Sequence, residues 1–141
     1  MEILGVVRIR GQAGTPWRVQ LALEQLKLTR TFNTTIIPSS PDFTGLLREA
    51  EPYLTWGELE DDVLKEMLSR CAPNLSQEES QEIILGLKEG KMRLSDINIR
   101  LPLRLHPPSG GFKGKISRSY RSRGEFGYRG RAINALLKKM M

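Results

Sequence analysis

The chain has 141 residues, 39% of them hydrophobic and 6% aromatic, which supports one folded core of modest size with some decoration or a long extension. No run approaches the roughly 18–20 apolar residues that cross a bilayer, and the start, Met1 to Arg8, has neither the basic opening nor the small-residue cleavage site of a signal peptide. Cys71 is the single cysteine, which excludes an intrachain disulfide, and a cytosolic protein is expected.

The formal charge is +6, and its distribution says more than its total. Residues 1–98 hold 11 Lys/Arg against 15 Asp/Glu, whereas residues 99–141 hold 11 Lys/Arg against one acid, Glu125. A near-neutral body joined to a basic arm is the footprint of a polyanion binder. A merely solubilising surface is the alternative, but such a surface mixes its signs.

Ile3 to Arg10 reads as a strand, with Ile3, Gly5, Val7 and Ile9 on one face and Arg8 and Arg10 closing the other. Gly11 to Gly14 is a turn. Thr15 and Pro16 then suit the cap and first position of a helix, whose Val19, Ala22, Leu23 and Leu26 share a stripe. The pattern repeats: Thr34 to Ile37 is β-rich, Ser40-Pro41 copies the cap, and Phe43, Leu46, Leu47 and Ala50 fall at the same spacing. Tyr53 to Trp56 reads as a third strand with Trp56 in the core. Connections this short favour a ferredoxin-like α+β layer over residues 1–60, with both helices on one face.

Residues 61–96 read as a helical insertion. Asp61 to Arg70 offers Val63, Leu64, Met67 and Leu68 on one side. After Pro73-Asn74, Ser76 and Glu79 form a capping box, Ile83, Ile84 and Leu87 supply a buried side, and Gly90 is a stop. Acids dominate here, so a structural or protein-contacting role is expected.

Residues 97–141 form the basic extension. From Ile97 to Leu105 the period is two, which predicts a half-buried strand with a basic outer face, and Pro102 puts it at the sheet edge. Residues 107–130 show no apolar period, and their like charges predict a loop that is mobile without a ligand. A last helix carries Ile133, Leu136, Leu137 and Met140 on one stripe, with Lys138 and Lys139 complementing its dipole.

One histidine and one cysteine cannot build a zinc, haem or iron–sulfur site, and no metal or other cofactor is expected. A Ser-His-Asp arrangement would need His106, which precedes two prolines in a basic segment. Contact with RNA, or a plain strand-end histidine, are the readings that remain for it. Gly11 to Gly14 lacks the G-x-G-x-x-G and Gly-Lys-Ser/Thr patterns and reads as a turn, although amides at a helix start can meet a phosphate. Glu58, Glu60, Asp61 and Asp62 read as dipole partners of a helix start.

Residues 100–131 hold nine Lys/Arg with Phe112, Tyr120, Phe126 and Tyr128 interleaved. Cations neutralise phosphates, while rings and guanidinium planes accept splayed bases. The pattern is strong for nucleic acid and silent on which one.

Several blocks are familiar together. They are Val7-Arg8-Ile9-Arg10-Gly11, Leu23-Glu24-Gln25-Leu26-Lys27-Leu28-Thr29-Arg30, Gly45-Leu46-Leu47 and Tyr53-Leu54-Thr55-Trp56-Gly57-Glu58. Arg104-Leu105-His106-Pro107-Pro108-Ser109-Gly110-Gly111-Phe112 and Gly127-Tyr128-Arg129-Gly130 complete the set. In this order the chain resembles the archaeal and eukaryotic-type large-subunit ribosomal protein L-thirty family, called L-seven in eukaryotes. The resemblance implies a β-α-β-α-β core with helices on one face of an antiparallel sheet, plus a C-terminal α+β extension. It implies contact with large-subunit rRNA of the 23S type, a position near 5S rRNA, and neighbouring large-subunit proteins.

The expected function is therefore structural: binding and stabilising rRNA in the large subunit, with no enzymatic turnover, no membrane and no small-molecule substrate. Arg8, Arg10 and Arg30 are expected to form one basic edge of the core. Arg100, Arg104 and His106 begin the main RNA grip, which continues through Phe112, Lys113 and Lys115. Arg118, Tyr120, Arg121 and Arg123 follow, then Tyr128, Arg129 and Arg131. Two rivals stand beside this reading. A ferredoxin-like enzyme acting on phosphate-containing substrates needs a base that the sequence does not offer. An anionic-membrane binder needs a basic amphipathic helix, and here the cations fall in a Gly/Ser-rich segment.

Overall fold

A computed structural model describes residues 3–11, 14–39, 41–71, 77–89, 103–108, 111–112 and 114–141. The proposed caps Ser40 and Ser76, the Gly90 stop, residues 97–102 of the predicted strand, Arg100 and Lys113 lie outside the described residues.

The elements run β1 (Ile3–Arg8), α1 (Trp17–Gln25), β2 (Asn33–Pro38), α2 (Pro41–Glu49), a 3-10 turn (Glu51–Tyr53) and β3 (Leu54–Glu58). Two helices follow, α3 (Asp61–Cys71) and α4 (Gln77–Lys88), and then β4 (Leu103–Arg104). The chain closes with β5 (Lys115–Ser119), a 3-10 turn (Tyr120–Ser122), β6 (Gly124–Tyr128) and α5 (Ala132–Met140). One six-stranded sheet has the order β4-β2-β1-β3-β6-β5. The expected β-α-β-α-β core is there, and its strands pair antiparallel, Val6 facing Thr35 on one side and Trp56 on the other. The extension makes the sheet mixed, because β6 joins β3 in parallel and β5 joins β6 in parallel.

The strand period decides where the core sits. Successive β1 side chains point to opposite faces, and all six positions are buried. Leu4 and Val6 enter one apolar cluster with Ala22, Leu23 and Leu26 of α1 and Leu47 of α2. Ile3 and Val7 enter a second cluster with Val63, Leu64 and Met67 of α3, Ile83 of α4 and Leu137 of α5. The two core helices thus share one face, as the sequence predicts, while the insertion and the last helix cover the other. A strand buried on both faces reads as a continuous apolar run, and Ile3-Leu4-Gly5-Val6-Val7 is such a run.

Two devices seat α5 on the second face. Asn134 is buried; its side-chain oxygen accepts the Glu60 amide at 2.8 Å, and its nitrogen donates to the carbonyls of Glu58 at 3.0 Å and Arg131 at 2.9 Å. Gly57 lets the chain before α5 approach β3 closely, since a Cβ there would lie 1.8 Å from the Gly130 carbonyl oxygen.

Leu23 and Leu47 are each 1% exposed in the cluster between α1, α2 and the sheet. Leu23→Ala and Leu47→Ala should each lower unfolding free energy by about 2–5 kcal/mol in urea denaturation. Losses below about half a kcal/mol at both sites would refute this packing.

Candidate nucleic-acid interface

Part of the segment expected as a loop over residues 107–130 is strand, turn and strand. The reason the apolar period missed it is that β6, Gly-Glu-Phe-Gly-Tyr, buries a carboxylate and glycines in place of aliphatic side chains. Gly124 lets β5 lie almost against β6, because a Cβ there would sit 2.0 Å from the Arg118 carbonyl oxygen.

A polar clamp holds the pair. Arg129, 9% exposed, donates from Nε to Thr55 Oγ1 on β3 at 2.6 Å and pairs through Nη2 with Glu125 Oε2 at 2.8 Å. The second Glu125 oxygen accepts the Gly114 amide at 2.8 Å, and the Thr55 hydroxyl donates to the Gly127 carbonyl at 3.0 Å. The Arg129 guanidinium also lies 5.0 Å from the centroid of the Tyr120 ring. Among the described residues no buried side-chain nitrogen or oxygen lacks a partner, which is what makes a buried pair tolerable.

The expected contact residues separate by burial. Arg129 faces inward and belongs to the clamp, not to a free surface. Arg8 is 2% exposed and donates from Nη1 to the Leu28 carbonyl at 2.7 Å and from Nε to the Arg10 carbonyl at 2.8 Å. Burial pulls its guanidinium below the ordinary arginine value, and the neighbouring Tyr53 pushes it back up. Both guanidiniums are buried and hydrogen-bonded within the fold in place of the exposed cations expected at these positions. Phe112 is half-buried and stacks on Phe32, with ring centroids 6.3 Å apart and planes at 26°, so one side of it packs against the core.

The remaining residues face solvent. Lys115, Arg118, Tyr120, Arg121 and Arg123 are exposed along β5 and the turn that follows it. Tyr128 is exposed as a ring and donates its hydroxyl to Glu58. Arg131 is exposed just before α5. At the other edge, Arg104 pairs through its backbone with Asn33, His106 is exposed and donates its amide to the Met140 carbonyl at 3.3 Å, and Arg30 is exposed. Arg10 is half-buried, with its guanidinium 5.3 Å from the Tyr53 ring centroid.

Strand order sets these two groups apart. β5 and β4 are the outer strands, five spacings of about 4.8 Å from each other, so about 24 Å of sheet lies between them. Among the described residues, Lys115 and Arg118 lie on β5 and Arg121 and Arg123 on the turn after it, whereas Arg30 precedes β2 and His106 follows β4. Sequence reasoning missed the holders of the row, Thr55 and Glu125. The signal for Glu125 was its place as the single acid of the arm.

A small, partly open cleft, far below the size of a usual ligand pocket, lies beside Arg8, Thr15, Gln20, Leu23, Glu24 and Thr29. Among the described residues no group of three or more His, Cys, Asp or Glu is placed to hold a metal ion.

Comparison with known proteins adds the family. The family described as Ribosomal protein L30p/L7e matches residues 4–54. A protein of Sulfurisphaera tokodaii named large ribosomal subunit protein uL30 is 43% identical, with 99% of this chain and 99% of the relative covered. The chain belongs to the L30p/L7e family. A relative of the same name from Sulfolobus acidocaldarius is 41% identical at the same coverage. The L30p/L7e match by itself spans β1 to the first residue of β3, the core of the sheet. The likeness to these relatives covers 99% of this chain, well beyond that match.

Breaking the clamp from one side leaves a buried charge unpaired. Arg129→Ala should therefore destabilise the fold by about 3–5 kcal/mol in urea denaturation, and a change within experimental error would show that the clamp carries no stability. Arg123 caps the 3-10 turn at φ 64°, ψ 29°, in the left-handed region. Arg123→Gly should raise stability by about 0.5–1 kcal/mol, since the substitution relieves the Cβ crowding of that conformation. A destabilised glycine variant would show that the side chain, not the backbone, holds the turn.

Proposed function

We propose that this chain is a structural constituent of the large ribosomal subunit that binds and stabilises large-subunit rRNA, supporting translation without catalytic turnover. The observation that carries the RNA contact is the exposed set Lys115 and Arg118 on the outer strand β5 with Tyr120, Arg121 and Arg123 on the turn that follows it. A phosphate backbone is a line of negative charges, and exposed cations on a strand and the turn that continues it can meet several of them. Tyr120, 42% exposed with Arg129 near its ring, adds a face on which a base or sugar can lie. Family membership supports the same reading, since the relatives are named as large-subunit proteins.

Within that role, the row on β5 takes the main contact with rRNA of the 23S type, and Arg10, Arg30, Arg104 and His106 make a second, smaller contact. Arg131 extends the first group towards α5, and Tyr128 flanks it. A position near 5S rRNA completes the proposal, with the acidic α3–α4 insertion turned to neighbouring large-subunit proteins. Like charge keeps that insertion away from phosphate: Asp61 and Asp62 open α3, and Glu78 and Glu79 open α4.

The test is affinity for transcribed large-subunit rRNA fragments across a salt series. Replacing Arg118, Arg121 and Arg123 together with alanine should weaken binding and flatten the slope of log affinity against log salt by up to about one unit per arginine. Circular dichroism should stay unchanged, because all three side chains are exposed. Unchanged affinity and slope would mean that the row is only a solvated surface.

A further inference from the structure

Trp17 opens α1 with 70% of its surface exposed, whereas Trp56 is closed in the core at 9%. Leu21, one helical turn on and on the same stripe, is 48% exposed. Neither takes part in the apolar cluster under α1, which Ala22, Leu23 and Leu26 complete. An indole and a leucine left side by side in water form an apolar spot that folding does not use.

The surroundings of that spot identify its occupant. The Arg18 guanidinium lies 5.5 Å from the centroid of the Trp17 ring, so a cation is already held beside the π-face. The first turn of α1 carries no acid that would repel a phosphate. Glu24, further along the helix, confines any anion to the N-terminal end. A flat ring with a guanidinium beside it suits an unpaired nucleobase and its phosphate: the base stacks on the indole, and the cation meets the backbone. An apolar protein segment would match Trp17 and Leu21 but leave the guanidinium without a counterpart.

We infer that Trp17, with Arg18 and Leu21, is a stacking platform for an unpaired rRNA base, separate from the row on β5. The inference rests on the rRNA-binding role proposed above and adds a place and a mode of contact to it.

The experiment uses the full chain and transcribed large-subunit rRNA fragments, with Trp17→Ala, Trp17→Phe and Arg18→Ala as variants. Trp17→Ala should weaken binding by about 5- to 100-fold, the range of one base–aromatic stack, with the salt slope unchanged. Trp17→Phe should keep most of the affinity, and Arg18→Ala should flatten the salt slope by up to about one unit. RNA should quench the wild-type tryptophan emission and shield it from acrylamide. In Trp17→Phe, where buried Trp56 is the remaining tryptophan, RNA should leave emission unchanged. Wild-type binding with no loss in Trp17→Ala and no shielding of Trp17 overturns the platform and leaves the rRNA-binding role standing. Shielding that appears only when a neighbouring ribosomal protein is added also overturns it. Failure of the wild-type chain to bind any such fragment overturns both.

Discussion

The Arg129 guanidinium ties the C-terminal extension to the core from inside the protein, reaching Thr55 on β3 and Glu125 on β6 in one span. Glu125 in turn holds the Gly114 amide, at the entry to β5. The β5–β6 pair needs such a clamp because it has few apolar side chains to bury. In β6 only Phe126 is a sizeable hydrophobe packed against the core. Desolvating a charge pair costs several kcal/mol, and a pair of this kind persists only when further hydrogen bonds complete it. Thr55 and the Gly114 amide supply them here, so the clamp fixes one position for β5 relative to the sheet.

That position matters because the sheet has both faces covered. With α1 and α2 on one side and α3, α4 and α5 on the other, the core strands themselves offer no face to a large ligand. An RNA helix can meet only outer strands, turns and helix surfaces. Buried arginines are accordingly drawn into structural work: Arg8 at the end of β1 satisfies two carbonyls, and Arg129, just after β6, closes the clamp. Arginines on the edge strand and the turn after it, at 118, 121 and 123, keep their charge in solvent. The same residue type thus takes two roles, and strand order decides between them.

Much of the core could be read in advance because its signals are local. The stripes of α1, α2, α3 and α5 appear at helical spacing, proline opens α2, and Trp56 is core. What escaped depends on residues far apart in the chain. Arg8 looked like the outer face of a one-sided strand, and the helices that cover that sheet come from both ends of the sequence. β5 and β6 gave no apolar alternation, since a carboxylate, an arginine and close-packed glycines replace it. Phe112 sat among cations and looked like a base-stacking ring, but its neighbour in space is Phe32. For the candidate site, composition alone identified the exposed cations Lys115, Arg118, Arg121 and Arg123. Their separation from Arg30 and His106 required the strand order.

The central claim is that the clamp presents an already folded basic strand to RNA. Amide hydrogen exchange of the free protein over residues 114–131 tests it most directly. The account predicts that amides of β6 exchange in the free protein about as slowly as those of β3, with further slowing along β5 when rRNA is added. Exchange across 114–131 as fast as in an unstructured peptide, with protection appearing only on addition of rRNA, would contradict it.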